Sequence, residues 1–319
     1  MLEALLSAWR ARRVLLIGGP DAQLCSIRAL LSALGARPSC IPADSGAAAL
    51  NRAMREGRVS AVIIPSAHAL RTDGSLFDQL HTLDLILRET REAGIPLLLL
   101  CSHGDVYLPQ DAPAQEDAPI GGRTREGFIQ SALQLLARGY SRGMMGDPVA
   151  SIICRHPPCL GSGHANTAQY SRWCRDILRG QTPVLEHPGA SGTFFHPLDA
   201  MLGALCAGAC FFEGNPAASG CFNIAPEAKN RCANRSAYLS LAAAEGATRA
   251  PREAHPPRPA QQTLLCGNRL RRLCGYCAML DARQALAFLM ETERALAVGQ
   301  EAALAALSAQ AQALLEAMK

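Results

Sequence analysis

The chain has 319 residues, 49% of them hydrophobic, with 31 Lys+Arg against 27 Asp+Glu for a net charge of +4. That length and apolar content exclude a disordered chain and call for a main core with a smaller appendage. The basic residues are not gathered into a tract interleaved with aromatics, so no nucleic-acid partner is expected.

The opening, MLEALLSAWRARR, puts its apolar residues before its basic ones, the reverse of a secretory signal. Residues 14–18 (VLLIG) read as a buried parallel strand. Leu24, Ile27, Leu30, Leu31 and Leu34 then recur at helical steps up to the stop at Gly35. The unit repeats, with a strand predicted over 59–65, a helix over 76–92 and a strand over 96–101. A helix over 126–142 leads to a strand over 149–154. Strands alternating with helices through short connections predict an α/β, doubly wound parallel sheet.

After residue 156 the chain is richer in Pro, Gly and His, with helices predicted near 168–179, 197–211 and 236–245 and a loop over 250–260. Residues 281–319 predict two helices broken near Gly299. The longest apolar stretches, 96–101 and 201–212, fall short of the roughly 18 residues that span a bilayer, so a cytoplasmic protein with no membrane partner is expected. Thirteen cysteines without an export signal read as reduced thiols. Cys266, Cys274 and Cys277 give one CxxC. The other pairs, Cys154 with Cys159 and Cys206 with Cys210, are separate segments lacking a histidine at finger spacing, so no metal site is expected.

Six segments, in order, resemble one family. They are AWRARRVLLIGGPDAQLCSIRALLSALGA, EDAPIGGRTREGFIQSALQLLARGY, RHPPCLGSGH, LEHPGASGTFFHPLDAMLGAL, CFNIAP, and PREAH with LRRLCGY. Together they resemble the extended short-chain dehydrogenase/reductases (the NAD-dependent epimerases and dehydratases), and within these the CDP-glucose 4,6-dehydratases. The resemblance implies a Rossmann-like sheet over residues 1–155. Residues 156–319 would then hold the rest of the sheet, a smaller C-terminal α/β substrate-type domain and the terminal helices. Between the first helix and the strand at 59–65, only PSCIPADSGAAALNRAMREGRVS stands where the family has two strands, so one strand is expected to be missing.

On that resemblance the chemistry is eroded. The glycine turn that admits a diphosphate falls on Gly18, Asp21 and Leu24, leaving Gly18 and Gly19 as its remnant. The tyrosine base and the lysine one turn later fall on Glu126 and Gln130. In CSHGDVY, Ser102 is retained, whereas the acid and base positions become Gly104 and Asp105. A slip of one residue would instead pair His103 with Asp105. The family's asparagine falls on Pro158 and its diphosphate-binding arginine on Gly192, while Arg155, His196, Asp199 and Asn223 stand at matching places, the first three as candidate substrate contacts.

The expectation is a pseudoenzyme with no cofactor that acts through protein contact and keeps residual recognition of a nucleotide or sugar nucleotide. The alternative is an active NAD- or NADP-dependent 4,6-dehydratase or epimerase with a rewired site. The helices at 76–92 and 126–142 are apolar on more than one face, so a homodimer, or a heteromer with an intact paralogue, is expected through them.

Overall fold

The computed structural model describes residues 1–19, 21–66, 70, 75–122, 124–161, 167–247, 249–254 and 263–319. The first helix, α1 (Leu2–Trp9), was not among the predicted elements. Its Trp9 is fully buried, donates Nε1–H to the Leu205 carbonyl at 3.0 Å, and meets Phe212 edge-on at 5.2 Å. β1 (Arg13–Ile17) and α2 (Ala22–Ala33) follow as predicted. β2 (Arg37–Ile41) lies parallel to β1 in the register Leu16↔Cys40 and Ile17↔Ile41. As an edge strand it tolerates Pro38, which has no N–H to give. The chain then crosses through α3 (Gly46–Arg55) to β3 (Ala61–Ile64) on the other side of β1. Among the described residues no strand lies outside β2, in line with the expected loss of one strand.

The pattern continues through α4 (Leu76–Glu92), β4 (Leu98–His103), α5 (Arg125–Ser141) and β5 (Ser151–His156). β4 and β5 each begin and end two residues later than predicted. Pro96 cannot join the ladder, and at the other end polar residues are accommodated because β4 and β5 pair Ser102↔Arg155 and His103↔His156. Next come α6 (Ala168–Leu178), β6 (Val184–Glu186), β7 (Ser191–Thr193), α7 (Pro197–Phe212) and β8 (Gly220–Asn223). β9 (Arg231–Ala233), α8 (Asn234–Ala244), β10 (Arg252–Ala254) and α9 (Asn268–Cys274) lead to α10 (Ala282–Val298) and α11 (Gln300–Glu316). Gly299 divides the last two helices, as predicted.

The main sheet is parallel throughout, in the order β2-β1-β3-β4-β5-β8. One face carries a core shared by α1, α2 and α7, and the other a core shared by α3, α4 and α5. β7 pairs antiparallel with β9, and β6 parallel with β10. β10 corrects the predicted loop over 250–260: residues 252–254 gain strand structure from their partner β6, while 255–260 lie outside the described residues. None of the described helices is long and apolar enough to cross a membrane.

Candidate functional site

In a doubly wound sheet the ligand crevice lies at the carboxyl ends of the strands. Here those ends bring together Ser102, Glu126 and Gln130. The Ser102 hydroxyl donates to Gln130 Oε1 at 2.9 Å, and Gln130 Nε2 donates to Glu126 Oε1 at 3.0 Å. The cap of α5 is Thr124, which accepts from the Gly127 amide at 3.0 Å. One turn beyond Gln130, Gln134 Nε2 donates to Ser102 Oγ at 2.7 Å and its Oε1 accepts from Arg155 Nε at 2.8 Å. From the same guanidinium a second chain runs through Tyr107 OH (2.6 Å) to Asn223 Oδ1 (2.7 Å), and Asn223 Nδ2 donates to the Ala114 carbonyl at 2.8 Å.

Arg155, Gln134, Ser102 and Gln130 are fully buried, and Arg155 forms no ion pair among the described residues. Every donor in the first chain points from the guanidinium toward the Glu126 carboxylate. The two glutamines and the serine are thus aligned dipoles bridging a cation and an anion, which offsets the cost of burying the charge. Gln134, Tyr107 and Ala114 were missed as members of this constellation. The signal for Gln134 was its place in the 126, 130, 134 stripe on one helix face.

The positions where the resemblance expects larger or other side chains are closed by their neighbours. A Cβ on Gly104 would lie 2.8 Å from Leu265 Cδ2. A Cβ on Gly192 would lie 2.5 Å from Tyr170 OH and 2.6 Å from Asn234 Oδ1, two groups bonded to each other at 3.2 Å. Pro158 is buried. His103 alternates to the face of β4 opposite Ser102, with its ring 5.1 Å from that of His156, while Asp105 sits in the single 3-10 turn Gly104–Val106 that follows.

The remaining candidate substrate contacts are turned inward. His196 Nδ1 accepts from the Leu198 amide at 3.2 Å to cap α7, and burial pushes its pKa down to about 3, so the ring is neutral. Asp199 accepts from the Met279 and Leu280 amides at 2.7 and 3.1 Å and holds the segment between α9 and α10. Burial lifts its pKa to about 6 against those hydrogen bonds.

The turn after β1 is different. Asp21 caps α2, accepting from the Leu24 amide at 2.7 Å, and burial raises its pKa against the bonds from Leu24 and Gln23. A cavity of about 690 Å³ opens beside it, touching Gly18, Asp21 and Arg28 on one side, Ile41 at the end of β2, and Leu296 and Leu307 of the terminal helices. A Cβ on Gly19 would meet nothing within 4 Å.

No protein-family model matches the chain, and no curated protein sequence matches it. Solved structures do. UDP-N-acetylglucosamine 4-epimerase from Bacillus cereus superposes with a TM-score of 0.73 at 15% identity, over 89% of this chain and 97% of that one. UDP-glucose 4-epimerase from Thermus thermophilus, in complex with NAD, gives 0.68 at 16% over 88% and 99%. dTDP-glucose 4,6-dehydratase from Streptomyces venezuelae, with NAD bound, gives 0.66 at 17% over 91% and 99%.

The expectation of no cofactor is corrected by these structures. Solved structures of this fold carry NAD, and in this chain the cavity beside Gly18 and the end of β2 leaves room at the turn. The chain has the fold of the NAD-dependent nucleotide-sugar epimerases and dehydratases.

Proposed function

We propose that this protein is a nucleotide-sugar epimerase/dehydratase relative that has given up turnover, keeps its dinucleotide cleft at the turn, and works by contact with a second copy of itself. The observation that carries this reading is the closed chain from Arg155 to Glu126. A base must be within hydrogen-bond reach of the proton that it removes, yet the Ser102 hydroxyl is already given to Gln130 and accepts from Gln134, with both partners fully buried. The residues beside the turn fit the adenosine half of NAD by room: Gly18 and Gly19 leave the approach open, and Ile41 walls it at the end of β2. When bound, the nicotinamide supplies a hydride acceptor. In the lysine's place Gln130 offers a neutral amide committed to Glu126 and Ser102.

The contact surface is the outer face of α4 and α5. The alternative cover, the C-terminal helices of the same chain, packs elsewhere, with α11 on α2 and α10 on α6 and α8. Phe77, Phe128 and Leu135 stay 78%, 56% and 56% exposed, whereas Leu83 and Leu133 are fully buried in the core beneath. Apolar side chains gathered on the outside of two adjacent helices favour a self-complementary pairing.

The test is to incubate the protein with NAD and CDP-glucose, dTDP-glucose or UDP-glucose while following 4-keto and epimerised products, with its mass in solution measured alongside. A dimer without product is expected, converted to monomer by Phe128→Glu at unchanged thermal stability. Steady product formation that Glu126→Gln abolishes would show an active, rewired site, and a monomer at micromolar concentration would remove the contact.

A further inference from the structure

The cavity beside the turn reaches well past it. From Gly18 it follows one face of α2, where Asp21, Leu24, Cys25 and Arg28 recur at three- and four-residue steps. The facing wall is built by the terminal helices, through Leu289 and Leu296 of α10 and Leu304 and Leu307 of α11. Arg28 stands seven residues beyond Asp21, about 10 Å along the helix axis. The far part of the cavity is therefore a slot between α2 and the last two helices, away from the glycine turn and from the strand ends around Ser102.

Protein interiors pack to nearly crystalline density, with few voids larger than a water molecule, whereas about 690 Å³ is the size of a ligand pocket. Leu24, Leu289 and Leu307 are buried, and Leu296 is 49% exposed, so the slot has an apolar floor and an open side. Most of the polar groups along it are already engaged. Asp21 caps α2, His196 Nδ1 accepts from the Leu198 amide, the Thr292 hydroxyl donates to the Phe288 carbonyl at 3.0 Å, and Glu293 pairs with Arg175 at 3.2 Å. The Ser26 hydroxyl is fully buried. Arg28, by contrast, is exposed and forms no ion pair among the described residues. The slot thus presents two leucine-lined walls with an uncommitted cation beside them.

We propose that this slot binds a single-chain aliphatic carboxylate, with its acyl chain between the leucines of α2, α10 and α11 and its head on the Arg28 guanidinium. A flexible chain can follow walls made of leucine ends, and a carboxylate matches the planar fork of a guanidinium. Leucines offer no hydrogen bonds to a ribose or a diphosphate. The dinucleotide at the turn and the acyl chain in the slot therefore occupy different ends of the cavity, and neither reading rests on the other.

Calorimetric titration of the full chain with octanoate, decanoate and dodecanoate, each below its micelle concentration, tests the assignment. One ligand per protein is expected, with affinity rising about four-fold for each added methylene. Dodecylammonium, which has the same tail and the opposite head, is expected to bind about five-fold more weakly than dodecanoate. Leu304→Glu should abolish binding, whereas Arg28→Glu should remove the preference for the carboxylate and keep the dependence on chain length. Absence of saturable dodecanoate binding, an affinity that does not rise with chain length, or equal binding of the two head groups would each overturn the proposal. So would several chains bound per protein at an affinity that Leu304→Glu leaves unchanged, which is the behaviour of surface adsorption. The chain-length and head-group comparisons use the unaltered protein, so they stand whether or not a variant folds. NAD titrated by itself reads the turn, so either result can fail without the other.

Discussion

The strand ends around Ser102 and the turn after β1 are built differently. Where Ser102, Glu126 and Gln130 meet, a buried network fills the strand ends, and neighbouring side chains close the space at Gly104 and Gly192. At the turn, Asp21 and Leu24 stand where the resemblance expects glycines, and a cavity of about 690 Å³ lies against Gly18 and the end of β2. The difference follows from burial. Polar groups left unpaired between a sheet and α5 are costly, so each buried side chain there must find a partner. The turn borders solvent and the movable ends of leucine side chains, where an unfilled volume exposes few unpaired groups.

The sharpest way to break this contrast is at the centre of the network. Arg155→Leu strands Gln134 Oε1 and removes the donor to Tyr107 OH, so a loss of about 3 kcal/mol or more in unfolding free energy is expected from denaturant titration. A loss under about 1 kcal/mol would mean that the network contributes no rigidity. Gly192→Ala comes next, at about 1–3 kcal/mol, since its Cβ must displace Tyr170 or Asn234 from their mutual bond. If the variant is as stable as the native chain, the arginine's place is still open.

His196 gives a pH test. Its native pKa of about 3 lies below the ordinary value of 6.5, so the unfolded chain binds the extra proton and stability falls as pH drops through that interval. Asp199, raised from 3.8 to about 6, acts in the opposite sense between those values, because its native state takes up the proton first. Replacing His196 with Asn isolates the histidine. Between pH 6.5 and pH 5 the stability difference should move in the variant's favour by up to about 1.4 kcal/mol per pH unit, and a pH-independent difference would contradict a neutral buried ring.

The smallest effect is expected at the open end. Asp21→Ser keeps a cap on α2 but removes a carboxylate beside the cavity, which should tighten NAD binding in calorimetry by about 1 kcal/mol, or roughly five-fold. Unchanged affinity would place the diphosphate away from this helix end.

Much of this was legible in the chain. Apolar runs and helical patterning located β1, β3, β4 and β5 and the helices α2, α4 and α5, since burial on a sheet imposes those periods on sequence; helices were also expected where α6, α7 and α8 lie, and an Ala-, Leu-, Glu- and Gln-rich composition without Pro marked α10 and α11. Register with related segments placed Ser102, Glu126 and Gln130 at one site, and the structure brings them within hydrogen-bond distance. The expected absence of a cofactor was misjudged because glycine count stood in for volume. A motif reports which side chains line a turn, whereas the room beyond it depends on where Leu296 and Leu307 of the terminal helices come to rest.

What the sequence determined by itself was therefore the order and kind of the main elements and the identity of the groups at the strand ends. Both follow from local periodicity and from a residue's place along the chain. Tertiary structure alone decided which groups face one another: that Gln134 links Ser102 to Arg155, that Tyr107 links Arg155 to Asn223, and that Tyr170 and Asn234 close over Gly192. Such pairings join residues that are far apart in sequence, and their geometry is fixed only when the helices have packed on the sheet.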